Sequence, residues 1–165
     1  MLSYGRLILF ACLLPLAACS LFLPSNDPRA TKDKNLHVNF EMSGWAKTDP
    51  RESDLAWAQQ QSGDVMMVNS FCGEFQSLPL ETLAVKTFKD YPDFKPLGKN
   101  TLDWHGREAF EMEAEANVDG VKVLLHLRNY RRDHCYYDFV LISPRTRTQA
   151  SLQAFASLVN GVEFR

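Results

Sequence analysis

The stretch Arg107 to Tyr130, "REAFEMEAEANVDGVKVLLHLRNY", decides the fold. Phe110, Met112, Ala114, Ala116 and Val118 alternate with Glu111, Glu113, Glu115 and Asn117, the period-two pattern of a strand with one apolar face. Asp119-Gly120 is the favoured two-residue hairpin loop, because a type I′ turn needs positive φ at both positions. That loop sets Val118 opposite Val121. It follows that Asn117 faces Lys122, Glu113 faces His126 and Glu111 faces Arg128. Opposite charges across antiparallel strands add roughly 0.2–1 kcal/mol each, so loop, alternation and charge select one register. The same register puts Tyr130 on the outward face with Lys122, His126 and Arg128. Tyr130, Arg128 and His126 are therefore the expected surface for partner contact.

Neighbouring segments extend the pattern. A strand near Lys99 to Trp104 turns at "HG" into the hairpin, and Cys135 to Ser143 is apolar on both faces, as a central strand is. Leu55 to Gln60 and Val65 to Cys72 flank "QSGD", a hairpin signal. Leu36 to Glu41 alternates as a first strand, with "SGW" after it as a turn. Leu80, Leu83, Ala84, Phe88 and Tyr91 fall at helical spacing between Pro79 and Pro92. Leu152, Phe155, Ala156 and Val159 do the same over Thr148 to Asn160, with Gly161 as C-cap. Two helices and six to seven strands predict an α+β domain, an antiparallel sheet with flanking helices, over residues 36–165.

The N-terminus reads differently. Arg6 precedes the apolar run Leu7 to Leu14, and small residues follow Pro15, the order of a secretory signal over residues 1–18. A spanning helix needs about 20 apolar residues, and this run is shorter. Leu16-Ala17-Ala18-Cys19 resembles the lipobox of bacterial lipoproteins. The resemblance implies that Cys19 carries a diacylglycerol and becomes the mature N-terminus, while the rival reading is a plain secretory signal that leaves Cys19 free. Ser20 in place of Asp implies the outer membrane over the inner, with the domain facing the periplasm. Residues 19–35 read as the lipidated cysteine and a tether, since "SLFLPSNDPRATKDKN" mixes Pro, Ser, Asn and Lys without periodicity.

Four cysteines occur in the 165 residues. Cys12 leaves with the signal and Cys19 is lipidated, so Cys72 and Cys135 remain, and in an oxidising compartment they are expected to form a disulfide. Buried unlinked thiols are the alternative. "DHCYYD", Asp133 to Asp138, gathers reactive residue types, yet adjacent strand residues point to opposite faces, so His134 is not expected to reach the Cys135 sulfur. No G-x-S-x-G or C-x-x-C motif suggests catalysis. Four histidines without metal-ligand spacing suggest neither metal nor cofactor. Glu111, Glu113 and Glu115 share one face and could take a cation such as Ca²⁺, although such a row is usually a solvated face. A formal charge of −2 lacks the basic excess of a nucleic-acid module. Trp45, Trp57, Trp104, Tyr130, Tyr136 and Tyr137 are candidates for a ligand groove or a partner site, with core packing the default for most of them.

The order of elements resembles the PsbP/DcrB-like family, through "FEMSGW", "PLETLAVKTF", "HGREAF", "CYYDFVLIS" and "LQAFASLVNGVEF". Its members include photosystem accessory subunits, an import factor and envelope lipoproteins, and most bind partners. The resemblance implies a non-catalytic binding or accessory module on the membrane, with an envelope protein as partner. A carrier of a small ligand or cation is the second reading.

Overall fold

The computed structural model describes residues 31–50, 53–73, 78–144 and 148–164. Its elements run β1 (Leu36–Val38), β2 (Trp45–Thr48), β3 (Leu55–Gln59), β4 (Val65–Cys72), α1 (Leu80–Phe88), β5 (Lys95–Trp104), β6 (Arg107–Val118), β7 (Val121–Arg132), β8 (Cys135–Ser143), α2 (Gln149–Asn160) and β9 (Val162–Phe164). The signal peptide, Cys19 and the tether up to residue 30 lie outside the described residues.

β6 and β7 pair in the expected register, with Val118 opposite Val121, Glu113 opposite His126 and Glu111 opposite Arg128. Asp119 and Gly120 have φ of 52° and 81°, the positive values that the type I′ loop demands. Seven antiparallel strands form one sheet in the order β2-β3-β4-β8-β7-β6-β5. β8 is the middle strand and is buried along its whole length, as its two apolar faces require.

Both faces of the sheet are covered, and each cover has its own core. Leu80, Leu83, Ala84 and Phe88 of α1 pack on Met67, Phe110, Met112, Leu125, Leu127 and Val140. Ala154, Phe155, Leu158 and Val159 of α2 pack on the other face, against Met66, Val68, Phe139 and Leu141. α2 begins where expected. Thr148 caps it by accepting the Ser151 N–H at 3.1 Å, which satisfies a donor that the first turn leaves free.

Five details depart from the sequence expectation. The first strand is shorter and pairs with β9, Leu36 opposite Phe164, in a separate two-stranded sheet. The residues after "SG" form the edge strand β2 and not only a turn. β9, three residues long, was not expected at all. Gly161 is the C-cap as expected, its N–H donating to the Ser157 and Leu158 carbonyls, but at φ −83° left-handed backbone is not what it supplies. A Cβ there would collide with the Asn39 carbonyl, whose own N–H donates to the Gly161 carbonyl at 2.8 Å. Glycine is needed because β1 and β9 approach so closely.

The fifth departure concerns the tether, because residues 31–35 are docked. Thr31 exchanges two backbone hydrogen bonds with Cys72, at 3.1 and 2.8 Å. Lys32 pairs with Asp54 at 2.9 Å and lies over the Phe71 ring. Asp33 accepts the Tyr137 hydroxyl at 2.7 Å. These residues fill the side of β4 that β3, starting at Leu55, leaves uncovered.

Candidate functional site

The polar row on β7 was expected to be exposed. It grades instead from exposed Lys122 through half-buried His126 and Arg128 to Tyr130, which is only 3% exposed. α2 and β9 cause the gradient. Phe155 meets the His126 ring edge-on at 4.9 Å. Trp104 meets Tyr130 at 4.6 Å, and Phe164 lies 6.1 Å from it. Tyr130 is therefore a core residue, and the expectation of an exposed contact there is corrected. Alternation places side chains on a face, but it does not show that a distant helix covers that face.

The carboxylates in this row are engaged. Arg128 donates to Glu111 through Nε at 2.7 Å and Nη2 at 2.5 Å. His126 Nδ1 lies 3.3 Å from Glu113, and Lys122 Nζ lies 3.4 Å from Glu115. His126 and then Arg128 draw the Glu111 carboxyl down to about 2, against the opposing effect of its burial. The arrangement is a closed cross-strand ion network, in which each carboxylate already faces a basic side chain.

A second polar row crosses the centre of the sheet under α1. Asn69, Asp138 and Asn129 are cross-strand neighbours on β4, β8 and β7, and all are buried. The Asn129 amide donates to the Leu80 carbonyl at 3.1 Å and to the Tyr136 hydroxyl at 2.8 Å. Thr87 of α1 donates to Asp138 Oδ2 at 3.2 Å. Asp138 Oδ1, Asn129 Oδ1 and both polar atoms of the Asn69 amide make no hydrogen bond within the described residues. Burial drives the Asp138 carboxyl up to about 7, with Tyr136 and Thr87 pulling the other way. In the sequence Asp138 stands out only as part of "DHCYYD". The missed signal is a polar residue at the midpoint of an otherwise apolar strand.

The third feature is the corner where β4 and β8 end. Cys72 and Cys135 are directly opposite and joined as a disulfide, as expected, with a Cα separation of 4.0 Å. His134 corrects the expectation made for it. It lies in the two-residue turn between β7 and β8, outside the strand alternation, and its ring nitrogen is within 4.8 Å of both sulfurs.

Surface grooves complete the inventory. Leu97 and Val121 are the large apolar side chains that stand exposed among the described residues, and isolated exposures of this kind are ordinary. A groove of about 550 Å³ runs along the β2 edge, lined by Val38, Phe40, Met42, Trp45, Trp57 and Lys47. Phe40 meets Trp45 and Trp57 edge-on at 6.2 and 5.6 Å. Of the aromatics named from sequence, Trp45 and Trp57 border a groove, but Trp57, like Trp104, Tyr136 and Tyr137, is buried in the two cores, and Trp45 alone is partly exposed. A smaller cleft of about 400 Å³ lies among His105, Arg107, Tyr130, Arg132 and Phe164. No helix of the described residues is long and apolar enough to cross a membrane.

No family model matches the sequence, and no curated protein matches it in sequence. The fold does have solved counterparts. LpqN of Mycobacterium tuberculosis, described as involved in cell envelope biogenesis, superposes with a TM-score of 0.54 at 10% identity, over 77% of this chain and 81% of that one. A Bacteroides thetaiotaomicron protein gives 0.57 at 9% identity over 82% of this chain, which spans about half of that protein, 47%. The cyanobacterial PsbP of Synechocystis gives 0.53 at 9% identity, over 79% of this chain and 93% of that one. At such identities the likeness concerns the fold, and that fold is PsbP-like.

Proposed function

We propose that this chain is a cell-envelope protein anchored by lipid at Cys19, whose domain is a non-catalytic binding or accessory module for another envelope protein. The observation that carries this reading is the aromatic groove on the β2 edge. β2 is the first strand of the sheet order, so among the described residues no further strand of that sheet uses its outer main-chain groups. Beside them lie Phe40, Met42, Trp45 and Trp57, with Lys47 and Glu41 at the rim. An extended segment of a partner would take main-chain hydrogen bonds from such an edge and place alternate side chains in the groove beside it.

The lipobox-like Leu16-Ala17-Ala18-Cys19 supports the anchor, and Ser20 favours the outer membrane. Two or three acyl chains hold a soluble domain stably, since each buried methylene is worth about 0.8 kcal/mol. The envelope role described for LpqN agrees with the reading. The groove's volume also lies within the roughly 300–1,000 Å³ range of small-ligand pockets, which keeps a ligand carrier as the second reading.

The test is in-cell photo-cross-linking from position 47 of the full-length chain, beside Cys19→Ala, with mass spectrometry of the captured protein. Palmitate labelling of wild type but not Cys19→Ala is expected, together with one reproducible envelope partner lost in Trp45→Ala. Equal labelling of both chains would remove the anchor. Reproducible capture of nothing by a labelled, anchored chain would remove the partner reading and favour the carrier.

A further inference from the structure

We propose that Cys72, Cys135 and His134 form a redox-gated site for a zinc-class divalent cation, closed while the two sulfurs are bonded and opened by a dithiol reductant. This goes beyond the binding role proposed above and does not depend on it. The ligand atoms of the three residues lie within 4.8 Å of one another. Zinc holds thiolates at about 2.3 Å and imidazole at about 2.0–2.1 Å, so tetrahedral ligand atoms stand roughly 3.3–3.8 Å apart. Once the bond is cut, side-chain rotation would have to bring the set to that spacing.

The backbone around the site is held by hydrogen bonds that do not involve sulfur. The β4–β8 ladder runs from Val65 opposite Ile142 to Cys72 opposite Cys135. Thr31 clamps Cys72 on its other side with two hydrogen bonds, and the Gly73 N–H donates to the His134 carbonyl at 3.0 Å. Opening the bridge therefore leaves both Cα positions and the turn in place. A cavity of about 180 Å³ lined by Cys135, His134, Asp133 and Asp33 is the route by which a reductant would approach this corner. The same cavity leaves room for a water as fourth ligand, the position that three-ligand zinc sites keep open.

The chemistry balances. One thiolate of the reductant attacks a bridge sulfur, and its second thiol resolves the mixed disulfide. Two electrons and two protons pass to Cys72 and Cys135, and the reductant leaves as its own disulfide. Metal uptake then releases the two thiol protons to solvent. A divalent cation with two thiolates and a neutral imidazole is uncharged overall.

The experiment uses the full chain carrying Cys12→Ser and Cys19→Ser in detergent, so that Cys72 and Cys135 are its sole cysteines. Cobalt(II) alone is added to oxidised protein, and to protein reduced with dithiothreitol and freed of it under argon. The reduced chain is expected to bind one cobalt with a thiolate charge-transfer band and tetrahedral visible bands, displaced by zinc(II), while the oxidised chain shows neither. His134→Ala is expected to keep two titratable thiols and to weaken cobalt by roughly tenfold or more, because even groups outside the coordination sphere are worth about 10–100-fold. Equal binding by reduced His134→Ala would overturn the site as drawn, and so would a reduced wild type that binds no better than Cys72→Ala/Cys135→Ala. Circular dichroism guards against a folding artefact: a reduced chain that unfolds and is not restored by cobalt counts against the proposal.

Discussion

Burial in the middle of β8 holds the Asp138 carboxyl at about 7, and this has a thermodynamic sign. Between the ordinary value of 3.8 and about 7, the folded chain keeps a proton that the unfolded chain has released. Stability is therefore fully present below pH 3.8 and falls as pH rises, by up to about 1.4 kcal/mol per unit, levelling off above 7. Asp138→Asn should flatten that decline. Urea unfolding at pH 5 and pH 8 reads it directly, and an unchanged difference between the two pH values would contradict it. Glu111, drawn down to about 2, has the opposite sign, since its contribution is present above 4.5 and lost as pH falls toward 2. The cysteine pair was legible from the sequence because counting and compartment chemistry decide it. Tyr130 and His134 were not, because their surroundings come from α2, β9 and a turn that are distant in sequence.

Elements were legible in proportion to their length and pattern. The β6–β7 register followed from one loop and nine alternating residues, and β8 followed from its two apolar faces. β2 and β9 are four and three residues long, too short for alternation to register, and their pairing depends on partners elsewhere in the chain. Gly161 separates the two ways of reading an element's end. A glycine that merely caps α2 at φ −83° tolerates alanine, whereas the Asn39 carbonyl occupies the space of the new Cβ. Gly161→Ala is expected to destabilise the domain by about 1–3 kcal/mol, the usual cost of forcing backbone shifts in a packed site. Thermal unfolding checks this, and a melting temperature within error of wild type would restore the capping explanation.

The whole molecule is two cores that share one sheet, and every residue of β8 faces one or the other. Damage on one side should therefore be felt on both. Leu158→Ala empties a fully buried position of α2 and is expected to cost about 2–5 kcal/mol. Hydrogen exchange should show α1 amides losing protection together with those of α2, as in a single cooperative unit. Protection retained in α1 would mean that the two cores unfold separately. The α+β class and the central strand were legible at this scale, because both follow from local pattern. Which face each helix covers was not, since nothing local assigns a helix to a side. The docking of Thr31 beside Cys72 also gives the molecule a top and a bottom. Eleven residues separate Cys19 from Thr31, a span of at most about 40 Å, so the anchor proposed at Cys19 would join the domain at the disulfide corner. The Asp119-Gly120 tip lies at the opposite end of the strands, and Trp45, opposite Gln59, sits toward that far end as well. Under the proposed anchor, the disulfide corner is the end of the domain tied to the membrane, and Trp45 stands at the end farthest from the tie.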